Sequence, residues 1–265
     1  MAAWWNIYRI LVRYSIRAER QYPWNFFFNL LFHVLMLTAE LATVLLILAR
    51  VGPIAGWSAK DIIFLFGLVT AEGGGFRIFA AELHDFDKYL VHGEFDAILI
   101  RPAPSLLSVI TRSIDIGQAA MILQGLALLA WASWRLHLMA VDGWAVWLAM
   151  GLALVSGSVI WFAMVTALAA LGFWTTRTDD LAPVILYGPE TAAQYPLSIY
   201  PQAIRWLFFS VLPIGFGGYL PAAVILHKMA GSWMIVGSVA AAAASLAAAL
   251  GLWSWGVRRY TSTGT

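Results

Sequence analysis

Four side chains able to carry charge stand inside long apolar stretches of this chain: His33, Glu40, Glu72 and Arg77. A charge at the centre of a bilayer costs about 2.5–3.5 kcal/mol on insertion scales, so residues of this kind are functional candidates by default. His33 and Glu40 are seven residues apart and fall on one face of a helix. Carboxylates flanked by aromatic faces attract cations, and Phe27, Phe28 and Phe32 lie on the same stretch. A substrate path built from Phe28, Phe32, His33, Glu40 and Glu72 would suit an amphipathic cation. The competing expectation is that Glu40 and Glu72 each pair with an arginine or a backbone group and fix helix packing. Arg112 and Asp115, three residues apart, are expected to form a local ion pair near an interface.

Enzymatic chemistry has little to work with. The absence of cysteine excludes disulfides, thiolate metal sites and cysteine nucleophiles. His84 and His92 have Asp85 and Asp87 nearby, but no His-x-x-x-His or Asp-x-x-Asp spacing occurs, and they read as solvated loop residues. Gly73, Gly74 and Gly75 are not followed by the lysine of a phosphate-cradling loop and read as a close-packed or flexible helix segment. An intramembrane lipid-modifying enzyme would need a metal cluster, an activated nucleophile or paired carboxylates, and stays a minor alternative. A passive channel or assembly scaffold is a third reading. The expectation is a chain that is not an enzyme and binds no cofactor itself.

The elements that position these residues follow from composition. Hydrophobic residues make up 62% of the chain and charged residues 11%, with a formal net charge of only +2. That balance gives no basic surface for nucleic acid. The blocks Trp144–Trp174 and Met229–Val257 contain no ionisable side chain, and about 20 residues suffice to cross the ~30 Å hydrocarbon layer as a helix. The fold class is all-α: a single polytopic domain over 1–265 with six transmembrane helices. Spans are expected at Phe26–Ala49, Ile62–Ala80, Ser105–Trp131, Trp144–Trp174, Leu181–Tyr195 and within Met229–Val257. Six of the ten prolines fall between 183 and 221. Broken backbone of that kind survives at membrane depth only inside protein or against water, so 196–226 reads as a re-entrant hairpin.

Residues 1–25 carry Arg9, Arg13, Arg17 and Arg20 on one helical face and Trp5, Tyr8, Leu11 and Ile16 largely on the other. This pattern suits an interfacial amphipathic helix rather than a cleaved signal peptide. With both ends in the cytoplasm, nine lysines and arginines fall in inside segments (9, 13, 17, 20, 88, 101, 177, 258, 259) and four outside (50, 60, 135, 228). That excess supports the orientation and a place in a bacterial cytoplasmic (inner) membrane. The longest charged stretch, 82–104, then faces the cytoplasm between spans two and three. Phe86, Tyr89 and Leu90 share one face of a short helix, Gly93 breaks it, and Phe95–Ile100 forms a second amphipathic piece.

The run Gly93-x-x-Asp96-x-x-Leu99-x-Arg101-Pro102 resembles the cytoplasmic signature of type-two ABC exporter permeases, in the subgroup of viologen-exporter permeases. Tyr195-Pro-Leu-x-Ile-Tyr-Pro201 and Leu212-Pro-x-x-Phe216-x-x-Tyr-x-Pro221 are similar to that subgroup's C-terminal half. The resemblance implies an ATP-driven exporter subunit for a drug, organic cation or lipid. It also implies pairing with an identical or homologous permease and docking of two cytoplasmic ATPase subunits that hold the ATP and magnesium. On this reading Phe86, Tyr89, Leu90, Gly93, Phe95, Asp96, Leu99, Arg101 and Pro102 form the ATPase-coupling element. A helix–turn–helix junction with a local Asp96–Arg101 pair is the simpler alternative.

Overall fold

Lipid offers backbone N–H and C=O groups no partner outside their own segment, so apolar runs of this length become helices. The computed structural model describes residues 23–112, 116–175, 177–178, 180–231 and 233–261, and every element named below is helical. The interfacial helix expected in 1–25 lies, up to residue 22, outside the described residues.

In chain order the helices are α1 (Pro23–Val51), α2 (Ala59–His84), α3 (Asp87–Val91), α4 (Glu94–Leu99), α5 (Ser105–Ile110) and α6 (Ala119–Arg135). They continue with α7 (Leu138–Asp142), α8 (Ala145–Thr175), α9 (Gly188–Ala193), α10 (Gln202–Ser210), α11 (Leu220–Ile225) and α12 (Trp233–Arg259). Four segments are long and apolar enough to cross a bilayer: Leu30–Arg50, Ala59–Val91, Ala145–Thr175 and Trp233–Arg259. A fifth candidate is the pair Gln202–Ser210 and Gly215–Ile225, bent by 89° at its break. The chain is therefore a multi-pass, all-helical membrane protein with four to five apolar spans among the described residues.

Two of the six expected spans take a different form. The stretch Ser105–Trp131 divides into α5 and α6, and α6 has 17 residues, about 26 Å of helix against ~30 Å of hydrocarbon. The stretch Leu181–Tyr195 becomes a π-turn at Pro183–Tyr187 running into the six-residue α9, too short to cross alone. A second π-turn, Gly215–Tyr219, precedes α11. Each π-turn leads into a helix with proline near its start, Pro189 and Pro221. Proline cannot donate to the carbonyl one turn back, and the wider i→i+5 spacing of a π-turn accommodates that gap.

Helix α2 is the centre of the bundle, buried along most of its length. It packs against α6 on one side and α8 on another, and α12 packs along α8. The α2–α6 contact is backbone to backbone. A Cβ added at Gly125 would lie 2.5 Å from the Ala71 nitrogen, so only glycine permits this approach. Helix α1, by contrast, leaves Trp24, Phe28, Phe32, Leu35 and Leu46 exposed.

One end of the bundle is closed by polar bonds between loops. Ser58 caps α2, with its N–H donating to Asp61 Oδ2 at 2.8 Å and the Asp61 N–H donating to Ser58 Oγ at 3.4 Å. The same Asp61 carboxylate meets Lys228 Nζ at 2.9 Å, which also donates to the Gly56 carbonyl at 2.9 Å. His227 Nε2 lies 3.0 Å from Asp142 Oδ2. Residues just after α11 are thereby tied to the start of α2 and to the end of α7.

Overpacking a tight helix contact destabilises by about 1–3 kcal/mol, and each kcal/mol lowers a melting temperature by about 2–4 °C at this size. Gly125→Val should therefore melt several degrees below the wild type in detergent. Gly151→Ala, whose added Cβ meets open space, should melt with it. Equal midpoints for all three proteins would contradict the α2–α6 packing described.

Candidate functional site

At the end of α2 opposite Ser58, the chain leaves the bundle and returns through two short helices. Gly93, with φ of 69°, makes the left-handed turn between α3 and α4, a conformation that glycine adopts without strain. One apolar face of each helix, with Phe86 just before them, points inward. Phe86 is 0% exposed, and Tyr89, Leu90, Phe95 and Ile98 are also buried.

These side chains enter a cluster of rings drawn from four parts of the sequence. Phe86 lies 5.4 Å from Phe95, 5.3 Å from Phe173 and 4.8 Å from Trp253, centroid to centroid. Phe95 lies 5.2 Å from Phe173 and 5.1 Å from Tyr260. Most pairs are edge-to-face or tilted, which the ring quadrupoles favour, each worth about 0.5–1.5 kcal/mol beyond burial. The cluster fastens α3 and α4 to the ends of α8 and α12. Burial, and then the neighbouring Asp96 carboxylate, push the Tyr260 phenol above its ordinary value.

Polar contacts fix the rest of the unit. Tyr89 donates its hydroxyl to Glu82 Oε2 at 2.5 Å, and Lys88 Nζ meets the same oxygen at 2.8 Å. Arg112 sits 4.7 Å from the Tyr89 ring centre and bonds Glu94 at 3.1 Å. Its partner among the described residues is thus Glu94, while Asp115 lies outside them. Trp253 Nε1 donates to Ser105 Oγ at 3.1 Å. Val91, Leu99 and Ile100 face outward, Ile100 being 85% exposed, and Arg101 and Pro102 are exposed beside them. The residues singled out in the sequence therefore fall into three groups. Phe86, Tyr89, Leu90 and Phe95 hold the unit to the bundle, Leu99, Arg101 and Pro102 are presented outward, and Gly93 and Asp96 are partly buried between.

Within the bundle, α1, α2 and the 187–194 stretch surround a chamber of about 310 Å³. Phe32, His33 and Glu40 line it from α1, Thr70 and Arg77 from α2, and Tyr187, Glu190 and Gln194 from the far side. Arg77 grips Glu190 through both nitrogens, at 2.7 Å to Oε1 and 2.5 Å to Oε2. Gln194 Nε2 donates to Glu40 Oε2 at 3.3 Å. One guanidinium thus faces two carboxylates, Glu190 and Glu40. Of the candidate path residues, Phe28 does not line the chamber and Glu72 turns away from it toward Gly157, Gly217 and Gly218.

Glu190 and Gln194 did not stand out from the sequence, because they sit in the proline-rich stretch where helical facing is not readable. The available signal was Arg77, since a guanidinium at membrane depth requires a carboxylate.

The chain matches the family described as ABC-2 family transporter protein over residues 34–264. No curated protein and no solved structure matches it. The match begins within α1 and runs past the end of α12, and so contains the ring-fastened helix pair and the chamber lining apart from Phe32 and His33. The chain belongs to the ABC-2 transporter family, as a transmembrane permease.

Proposed function

We propose that this chain is the membrane subunit of an ATP-driven exporter, close to the viologen-exporter permeases, and that α3 and α4 are its docking handle for a separate cytoplasmic ATPase. The observation that carries the reading is the division within the handle. Buried rings join it to α8 and α12, and an apolar tip of Val91, Leu99 and Ile100 is left exposed among the described residues. A rigid lever with an exposed apolar end transmits force from a soluble partner into the bundle. Two such ATPases, holding ATP and magnesium, serve a pair of permeases, identical or homologous. The chain lies in the bacterial inner membrane with both termini in the cytoplasm. Six crossings satisfy that topology if α5–α6 and the 182–193 stretch complete spans together with neighbouring helices of the assembly.

The chamber is the part of the translocation path that this subunit contributes. Glu40 supplies the negative charge that Arg77 does not neutralise, and Phe32 and Tyr187 supply aromatic walls. These groups suit a cation with an apolar body. Glu40 and the aromatic walls are the support for an organic cation over a neutral lipid.

Two outcomes test this reading. Ile100→Glu should leave expression and melting temperature unchanged and reduce co-purification of the ATPase about tenfold or more. Phe86→Ala, in contrast, should lower the melting temperature, since losing a buried phenylalanine costs about 3–5 kcal/mol. Retention of the ATPase by Ile100→Glu would remove the tip from the interface. Separately, Glu40→Gln should weaken export of an organic cation by roughly tenfold, as expected for loss of one charged contact of about 1.5 kcal/mol. Export of a neutral amphipath should be unaffected. Equal export of the cation by both proteins would exclude Glu40 from the path.

A further inference from the structure

Glu72 lies midway along α2 and is 0% exposed, yet among the described residues neither Oε1 nor Oε2 has a hydrogen-bond partner. Its place is made of absent side chains. A methyl group on Gly157 of α8 would overlap the Glu72 carboxyl carbon. Methyl groups on Gly217 and Gly218 of the Gly215–Tyr219 turn would lie 3.4 Å and 3.9 Å from Oε2. Two separate elements thus present glycine to one carboxyl group. The chamber that holds Glu40 and Arg77 does not reach it.

Among the described residues, no counter-ion faces this carboxyl. Helix α8 carries no ionisable residue. The Gly215–Tyr219 turn and α11 carry only Tyr219, whose ring packs against Trp57 at 5.7 Å. On α2 itself, Arg77 is held by Glu190, Asp61 by Lys228 and Glu82 by Lys88, while Lys60 and His84 stand at its two ends. Helix α6 has Arg135 alone, at its last residue. An ionised carboxylate removed from water without donor or counter-ion is far less favourable than the neutral acid. Complete burial against glycine backbone leaves room for no ligand larger than a proton.

We propose that Glu72 is a proton-binding site, occupied while the Gly215–Tyr219 turn is seated against α2 and α8. The proton comes from water and sits on one carboxyl oxygen as a neutral acid. It returns to water in any state where the turn lifts and solvent reaches Oε1 and Oε2. Separation of the turn from α2 is thereby linked to loss of one proton, independently of what the transporter carries.

Infrared spectroscopy of the purified full-length protein in detergent at neutral pH tests this directly, because a protonated carboxyl has a carbonyl band separate from carboxylate bands. The band should be present in the wild type and in Gly151→Ala, absent in Glu72→Gln, and shifted or lost in Gly157→Ala. A folded wild type without the band, or a band unchanged by Glu72→Gln, would overturn the proposal. If Glu72→Gln does not fold, glutamate-selective carbon-13 labelling of the double variant Glu19→Gln/Glu40→Gln decides the matter. A label-sensitive band surviving there supports the site, because Glu82, Glu94 and Glu190 are held in ion pairs, and its absence overturns it.

Discussion

Helix α2 has almost no face left for lipid, and the rest of the molecule is arranged around that constraint. In a bilayer the drive to bring helices together comes from close packing rather than from release of water. A central helix must therefore meet its neighbours at backbone distance. Gly67 and Gly74 meet α6 in this way, and Gly75 meets Ser158 of α8. The Ser158 hydroxyl also donates to the Glu72 carbonyl at 3.2 Å, a cross-helix bond at the most buried level of the bundle.

Because one rigid helix carries them all, distant features share a common frame. The Asp61–Lys228 bond lies at one end of α2, the Arg77–Glu190 pair lines the chamber further along, and the chain after His84 enters the ring cluster at the other. Helices α3 and α4 touch α8 and α12 through Phe173 and Trp253. They touch α2 through Glu82, which holds both Tyr89 and Lys88. The α2–α8–α12 group and the two short helices are therefore joined by direct contacts. Helix α1, packed loosely and largely exposed, lies outside that group.

What could be read in the sequence was what composition and period determine. The uncharged run Trp144–Trp174 becomes α8 at nearly the same limits, and Met229–Val257 contains most of α12. The break at Gly93 between two short helices is likewise local chemistry. Facing was not readable in the same way. Phe86, Tyr89 and Phe95 look like a docking surface in sequence because they are apolar within a polar loop, but Phe173, Trp253 and Tyr260 lie far along the chain and bury them. Glu40 and Glu72 look equivalent in sequence, and only the crossing of α8 and the Gly215–Tyr219 turn separates one from the chamber. The Ser105–Trp131 run was hydrophobic enough to span but divides near Thr111–Arg112, where Arg112 turns to Glu94.

The π-turn at Pro183–Tyr187 has a consequence for the chamber. Such a turn holds one residue more than an α-helix needs, and one residue of helix corresponds to a rotation of about 100°. Glu190 and Gln194 follow this surplus residue directly. Their angular setting relative to Arg77 and Glu40 is therefore carried by a single extra peptide unit. Were the coil to tighten to ordinary α geometry, both side chains would swing off the chamber wall together, leaving the guanidinium and the Glu40 carboxylate to find each other.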